Sequence, residues 1–182
     1  MRMQACAAVF TTLLSFGGLS VAARAQDQPQ PAPAGGMQAS QLAPPAGPLT
    51  VTFAAQSSEW TPAALAALPH TTVTVYNLHT NADETYSGVP FMDLLVPLGV
   101  PREQLGKMVS LYLEAVGSDG YIAVYSVAEV NPTMHNATVI VADSEDGKPL
   151  AAAGPFKLID TRDKLPTRWV RNLAAIRVLT AE

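Results

Sequence analysis

Ala115-Val-Gly-Ser-Asp-Gly-Tyr-Ile-Ala-Val-Tyr125 reads as a β-hairpin. Two apolar runs, Val109 to Val116 and Tyr121 to Val127, flank the turn Gly117-Ser118-Asp119-Gly120. Asp-Gly suits that turn because glycine accepts positive φ without a steric penalty and aspartate hydrogen-bonds its own turn backbone. The strands that follow are expected to lie against this pair. Ser126-Val-Ala-Glu129 has capping-box spacing and predicts a helical turn after the second strand. Ala137 to Ala142 is a continuous apolar run that predicts a buried strand, and Glu145-Asp146-Gly147-Lys148 is a second Asp-Gly turn. Phe156 to Ile159 and Arg171 to Leu179 complete the set of strands, with Trp169 and Val170 packing before the last one.

Upstream of the hairpin, Leu49 to Phe53 alternates as a half-buried strand does. Thr61-Pro62 places a capping residue and a proline at the start of a short helix that runs to Leu68. Thr71 to Tyr76 is β-branched and strand-like, Asn77 to Glu84 is polar and loop-like, and Thr85 to Ser87 is a short return strand. Phe91 to Val96 is an apolar helix ended by Pro97 and Gly99, and a helical turn follows near Pro101 to Leu105. Short strands outnumber short helices. The expected class is α+β, a single domain with a mixed sheet.

At 182 residues the chain accommodates one such domain once its ends are set aside. Arg2, the apolar run Ala7 to Leu19 and the small-x-small signature Ala23-Arg24-Ala25 read as a signal peptide over residues 1–25. The run is shorter than the roughly 20 apolar residues a bilayer needs, which favours a cleaved signal over an uncleaved anchor. Export to the periplasm or exterior, with no membrane span after cleavage, is the expectation. Removing Arg2 and Arg24 leaves nine basic residues against fifteen acidic ones, a net charge near −6. That argues against nucleic-acid binding, which depends on clustered lysine and arginine. Cleavage also removes Cys6, the only cysteine, and with it any disulfide, thiolate ligand or cysteine nucleophile. Residues 26–48 hold six of the fifteen prolines and almost no large apolar side chains, so they read as a disordered spacer before a domain over 49–182.

His79 stands in the polar loop with Asn77, Asn81, Asp83 and Glu84. It reads either as a ligand to a metal or small anion, or as a loop histidine satisfied by Asp83 or water. No histidine has a second ligand at the spacing a helix needs to present two to one metal, so no metal site is expected. Tyr121 and Trp169 read as core-edge aromatics, or as faces on which a flat ligand stacks. Asp119 and Asp146 read as turn residues before a catalytic carboxylate pair, and Ser126 lacks a nucleophile elbow. No residue is assigned a catalytic role.

Tyr86-Ser-Gly-Val-Pro-Phe-Met-Asp-Leu-Leu95, Gly117 to Tyr121 with Ser126 to Glu129, Asp146 to Leu150 with Gly154 to Leu158, and Arg168-Trp-Val-Arg171 occur in that order. Together they resemble the molybdopterin-binding domain of sulfite oxidase-type oxidoreductases, above all its small exported bacterial members. The resemblance covers about residues 49–180. It implies that domain's fold and a pterin-cofactor pocket. In catalytic members a cysteine after an early strand ligates molybdenum and nearby arginines bind the oxyanion substrate. The corresponding stretch here, Val73 to His79, carries neither. A thiolate is the protein's own contribution to holding such a metal.

The resemblance also puts Arg162, Lys164, Arg168 and Arg171 near the cofactor's phosphate and pterin, where an arginine fork suits phosphate. The other reading is a solvated basic face. The ligand-binding candidates are therefore His79, Asn77, Tyr121, Arg162, Lys164, Arg168, Trp169 and Arg171. The expected function is an exported, redox-inactive domain binding a small anionic or pterin-like ligand and carrying no cofactor. One alternative is a molybdopterin-dependent oxidoreductase that holds its cofactor through pterin and phosphate contacts alone. The other is an envelope module that docks a partner protein.

Overall fold

The computed structural model describes residues 47–181. The proposed signal peptide, the spacer up to Ala46 and Cys6 lie outside the described residues. Strand β1 (Leu49–Phe53) turns at Ala54, whose φ is 50°, into β2 (Gln56–Trp60). The sequence does not announce β2. Gln56-Ser-Ser-Glu has no apolar alternation because the strand is a mostly exposed edge, held by its antiparallel ladder to β1. Helix α1 (Pro62–Ala66) starts as expected, with Thr61 Oγ1 accepting from Ala64 N at 3.2 Å. β3 (Thr71–Asn77) and β4 (Ala82–Pro90) follow. The return strand is nine residues long rather than three, because the backbone ladder to β3 continues into the polar segment as far as Ala82.

Helix α2 (Phe91–Leu95) runs into a 3-10 turn over Val96–Leu98, closed by Gly99 at φ 92°. Then come α3 (Leu105–Met108), the hairpin β5 (Leu111–Gly117) and β6 (Ile122–Ser126), and α4 (Val127–Val130). Ser126 Oγ caps α4 by accepting from Glu129 N at 3.0 Å. β7 (Val139–Glu145), β8 (Lys148–Pro149), β9 (Lys157–Asp160), a 3-10 turn over Pro166–Arg168 and β10 (Leu173–Thr180) complete the chain.

The expected α+β class is what the structure has, with the strands divided between two five-stranded sheets. The first runs β2-β1-β10-β5-β6, mixed because β1 and β10 are parallel. The second is antiparallel and runs β3-β4-β7-β8, with β9 also on β7. Of the strands after the hairpin only β10 joins it. β7, β8 and β9 build the other sheet. The continuous apolar run of β7 has its cause here. Val139 and Val141 face the main core, while Ile140 and Ala142 face a smaller cluster with Val73, Val75, Tyr86, Ile159 and Trp169. A strand buried on both faces has no polar alternation to show. Among the described residues no helix is long and apolar enough to cross a membrane.

Two glycines set distances that matter for the site. A Cβ on Gly88 would lie 2.2 Å from Val141 O, so its absence lets β4 press onto β7 where the register shifts. A Cβ on Gly117 would lie 3.0 Å from Arg171 O. The turn after β5 can therefore dock on the segment before β10, with Ser118 N donating to Asn172 O at 2.9 Å.

Candidate ligand-binding site

The side of the second sheet that carries the smaller apolar cluster opens into a cavity of 520 Å³. Its polar floor comes from three strands. β3 supplies Asn77, β4 supplies Glu84 and Tyr86, and β9 supplies Lys157. Strand alternation decides which residues face it. Asn77 turns in, while its neighbours Tyr76 and Leu78 are exposed and line a separate groove, so neither of them fills the cavity.

The floor is one connected hydrogen-bond chain. Lys157, 8% exposed, donates from Nζ to Tyr86 Oη at 2.5 Å. Tyr86 Oη donates to Glu84 Oε2 at 2.7 Å. Glu84 also accepts from Asn77 Nδ2 at 2.9 Å on each oxygen and from Thr80 Oγ1 at 2.8 Å. Asn77 Oδ1 in turn accepts from His79 N at 2.9 Å, a local turn in the β3–β4 loop whose His79 and Thr80 line the cavity. Lys157 Nζ lies 4.4 Å from the Tyr86 ring centre and 5.7 Å from that of Trp169. Those two rings meet edge to face at 6.2 Å.

Burial shifts the charges on this floor in opposite directions. It pushes the Lys157 ammonium down, with Arg171 adding to the effect and Glu145 and Glu84 opposing it. Burial also pushes Glu84 up, but the hydrogen bonds from Tyr86, Asn77 and Thr80 and the Lys157 charge outweigh it, holding the carboxyl below its usual range. Tyr86 is raised far above an ordinary phenol by burial and by its bond to Glu84, so it stays neutral. Lys157 makes this one hydrogen bond among the described residues, and an ammonium can make three.

The rim comes from the hairpin turn and the segment before β10. Asp119 Oδ1 accepts from Tyr121 N at 2.9 Å, the turn role expected of it, and Asp119 also lines the cavity. Tyr121 Oη donates to Thr167 O, tying the hairpin to the 3-10 turn. Trp169 Nε1 donates to Asp160 O at 3.1 Å, which fixes the indole against the floor. Arg171, His79 and Glu145 complete the wall.

Five of the sequence candidates thus meet in one cavity: Asn77, His79, Tyr121, Trp169 and Arg171. The basic cluster does not stay together. Arg162 and Lys164 line the groove beside Tyr76 and Leu78. Arg168 is committed within the protein. Its Nη2 meets Asp163 Oδ1 at 2.5 Å and Glu129 Oε1 at 2.9 Å, and its guanidinium lies 4.3 Å from the Tyr125 ring centre. The hydrogen bonds to Asp163 and Glu129 raise the arginine further above its ordinary value, so it remains charged and neutralised.

Sequence reading missed Lys157, Tyr86 and Glu84. The available signal was a lysine inside Phe156-Lys-Leu-Ile159, where an apolar run should bury its neighbours on both sides. A lysine is almost never buried without a purpose or a partner.

The chain matches no protein-family profile and no curated protein. In backbone shape it is similar to the crystal structure of the sulfane dehydrogenase SoxCD from Paracoccus pantotrophus, with a TM-score of 0.58 and 18% identity. The relation is one of fold. It covers 72% of this chain and 38% of that one, so this chain spans under half the neighbour's length. This supports the resemblance drawn from the sequence at the level of a distant fold relation and no further.

The side chains of the cavity do not fit a molybdenum ion anchored through protein sulfur. No cysteine occurs in residues 47–181, and no group of three or more histidine, cysteine, aspartate or glutamate side chains among the described residues is arranged to hold a metal. Glu84, Asp119 and Glu145 face the same space as Lys157 and Arg171, so the wall offers carboxylates as well as cations to an anionic cofactor.

Proposed function

We propose that this is an exported ligand-binding domain whose cavity takes a small molecule with a flat body and an anionic group, without metal redox chemistry. Lys157 carries the reading: a buried cation with unused hydrogen-bonding capacity, packed against the rings of Tyr86 and Trp169 in the cavity that Arg171 also lines. Tyr121 and Trp169 supply the faces for a planar ring. Arg171 supplies a planar fork for the anion. The fold relation to a sulfane dehydrogenase is compatible with such a ligand without requiring that enzyme's activity.

The test is calorimetric titration with pterin-6-carboxylate, with neutral pterin and inorganic phosphate as comparators. The carboxylate should bind more tightly than the neutral ring, and Lys157→Met should weaken it by about 10–100-fold, the worth of one charged hydrogen bond. Equal affinity for the charged and neutral rings would remove the anion from the reading. Stoichiometric molybdenum in protein purified from a host that makes the cofactor would overturn the redox-inactive assignment in favour of the oxidoreductase.

A further inference from the structure

We propose that Lys157 is a carbonyl-capturing amine, and that the cavity holds small 2-oxo acids or aldehyde acids as reversible imines. The inference rests on the cavity being a small-anion site and names the ligand class and the bond it makes. Two cations share the pocket, and their chemistry differs. Arg171, exposed at the rim, is permanently charged and suits a carboxylate. Lys157, on the floor, is the only lysine of the chain that lines this cavity; Lys107, Lys148 and Lys164 are all exposed. A lysine made nucleophilic by burial and a neighbouring cation is the usual means by which proteins attack carbonyl carbons.

The surroundings favour that use. Nζ is anchored by its bond to Tyr86 Oη at 2.5 Å, and the Tyr86–Glu84 bond of 2.7 Å continues from it as a path for protons. Glu84 from β4, Glu145 from β7 and the rings of Tyr86 and Trp169 all favour the ammonium, while burial and Arg171 disfavour it, and the net effect is a pKa below the usual lysine value. An ion-pairing lysine would instead sit within salt-bridge distance of a carboxylate, as Arg168 does. Lys157 has no such contact among the described residues, its hydrogen bond going to a phenol.

The chemistry balances without an oxidant or reductant. The unprotonated Nζ adds its lone pair to the carbonyl carbon, a C–N bond forms, and the carbonyl π pair moves to oxygen. One nitrogen proton passes to that oxygen to give the carbinolamine. The hydroxyl then leaves with the second nitrogen proton as water, and a C=N bond remains. Hydrolysis reverses each step and returns the ligand and the free amine.

The experiment treats the whole chain with glyoxylate and sodium cyanoborohydride at pH 7 and maps the reduced adducts by peptide mass spectrometry. Lys157 should be modified measurably faster than Lys107, Lys148 or Lys164, since burial lowers its pKa and so raises its free-amine fraction at neutral pH. The preference should vanish in urea, and pterin-6-carboxylate should slow labelling at Lys157 alone. Lys157→Arg removes the primary amine and should lose the adduct. If Lys157 is labelled no faster than the exposed lysines while pterin-6-carboxylate still binds, the imine is refuted and the binding site stands. If neither labelling preference nor anion binding is found, both readings fall.

Discussion

Tyr86→Phe removes one oxygen from the centre of the cavity floor and leaves the ring in place. The edge-to-face contact with Trp169 at 6.2 Å and the packing of a fully buried ring are kept, so the change isolates the hydroxyl. Two hydrogen bonds disappear, from Lys157 Nζ and to Glu84 Oε2, each with a charged partner. Such bonds are worth about 1.5–3 kcal/mol apiece. Glu84 keeps its contacts to Asn77 and Thr80, so its loss belongs at the low end. Lys157 loses its hydrogen bond within the protein, but water entering an open cavity recovers part of the energy.

The expected net loss is about 3 kcal/mol, or a drop of about 10–12 °C in melting temperature for a domain of this size. Urea unfolding followed by fluorescence gives the value directly, and an unchanged m shows that the folded state is still compact. A double-mutant cycle with Lys157→Met should show coupling of about 1–2 kcal/mol. A loss below about 0.5 kcal/mol, the level of an ordinary surface substitution, would refute the claim that this chain of bonds organises the floor.

Two further outcomes follow from groups away from the cavity. His70 contacts Asp143 Oδ2 through Nε2 at 2.9 Å and Leu68 O through Nδ1 at 2.7 Å, and two acceptors require both ring nitrogens to carry protons. The bond to Asp143 raises its pKa, so the stability it adds is full below the unfolded value of about 6.5 and is lost as pH rises through the higher folded value. His70→Gln should therefore cost up to about 1 kcal/mol near pH 6, and the gap to wild type should shrink steadily in melts towards pH 9. A gap that widens with pH would contradict the doubly protonated ring. Arg168→Gln leaves Asp163, Glu129 and the buried Asp160 without their shared cation. Unfolding by urea at pH 7 should show a loss of about 2–4 kcal/mol, reduced because the guanidinium is partly exposed, and a loss near zero would mean the cluster is already solvated.

Local chemistry was legible in the chain. The Asp-Gly turns, the Thr61 and Ser126 caps and the apolar strands act within a few residues of themselves, and each lies within a few positions of where the sequence puts it. The α+β class follows from their alternation. β2 was not legible because an exposed edge needs no apolar pattern and is specified by its partner's backbone.

The amino-acid sequence by itself determined most of the elements, their order and the acidic, cysteine-poor character of the chain. Only the tertiary structure decided what those elements do together. It sent β7 to β9 into a second sheet, and it brought Lys157 to Tyr86 across 71 positions. It also gave Arg168 to Glu129, 39 positions away, rather than to a ligand. The physical reason is range. Turn and cap energies depend on neighbours along the chain, whereas burial and pairing of charge depend on which distant carboxylates and rings surround the same few cubic ångströms.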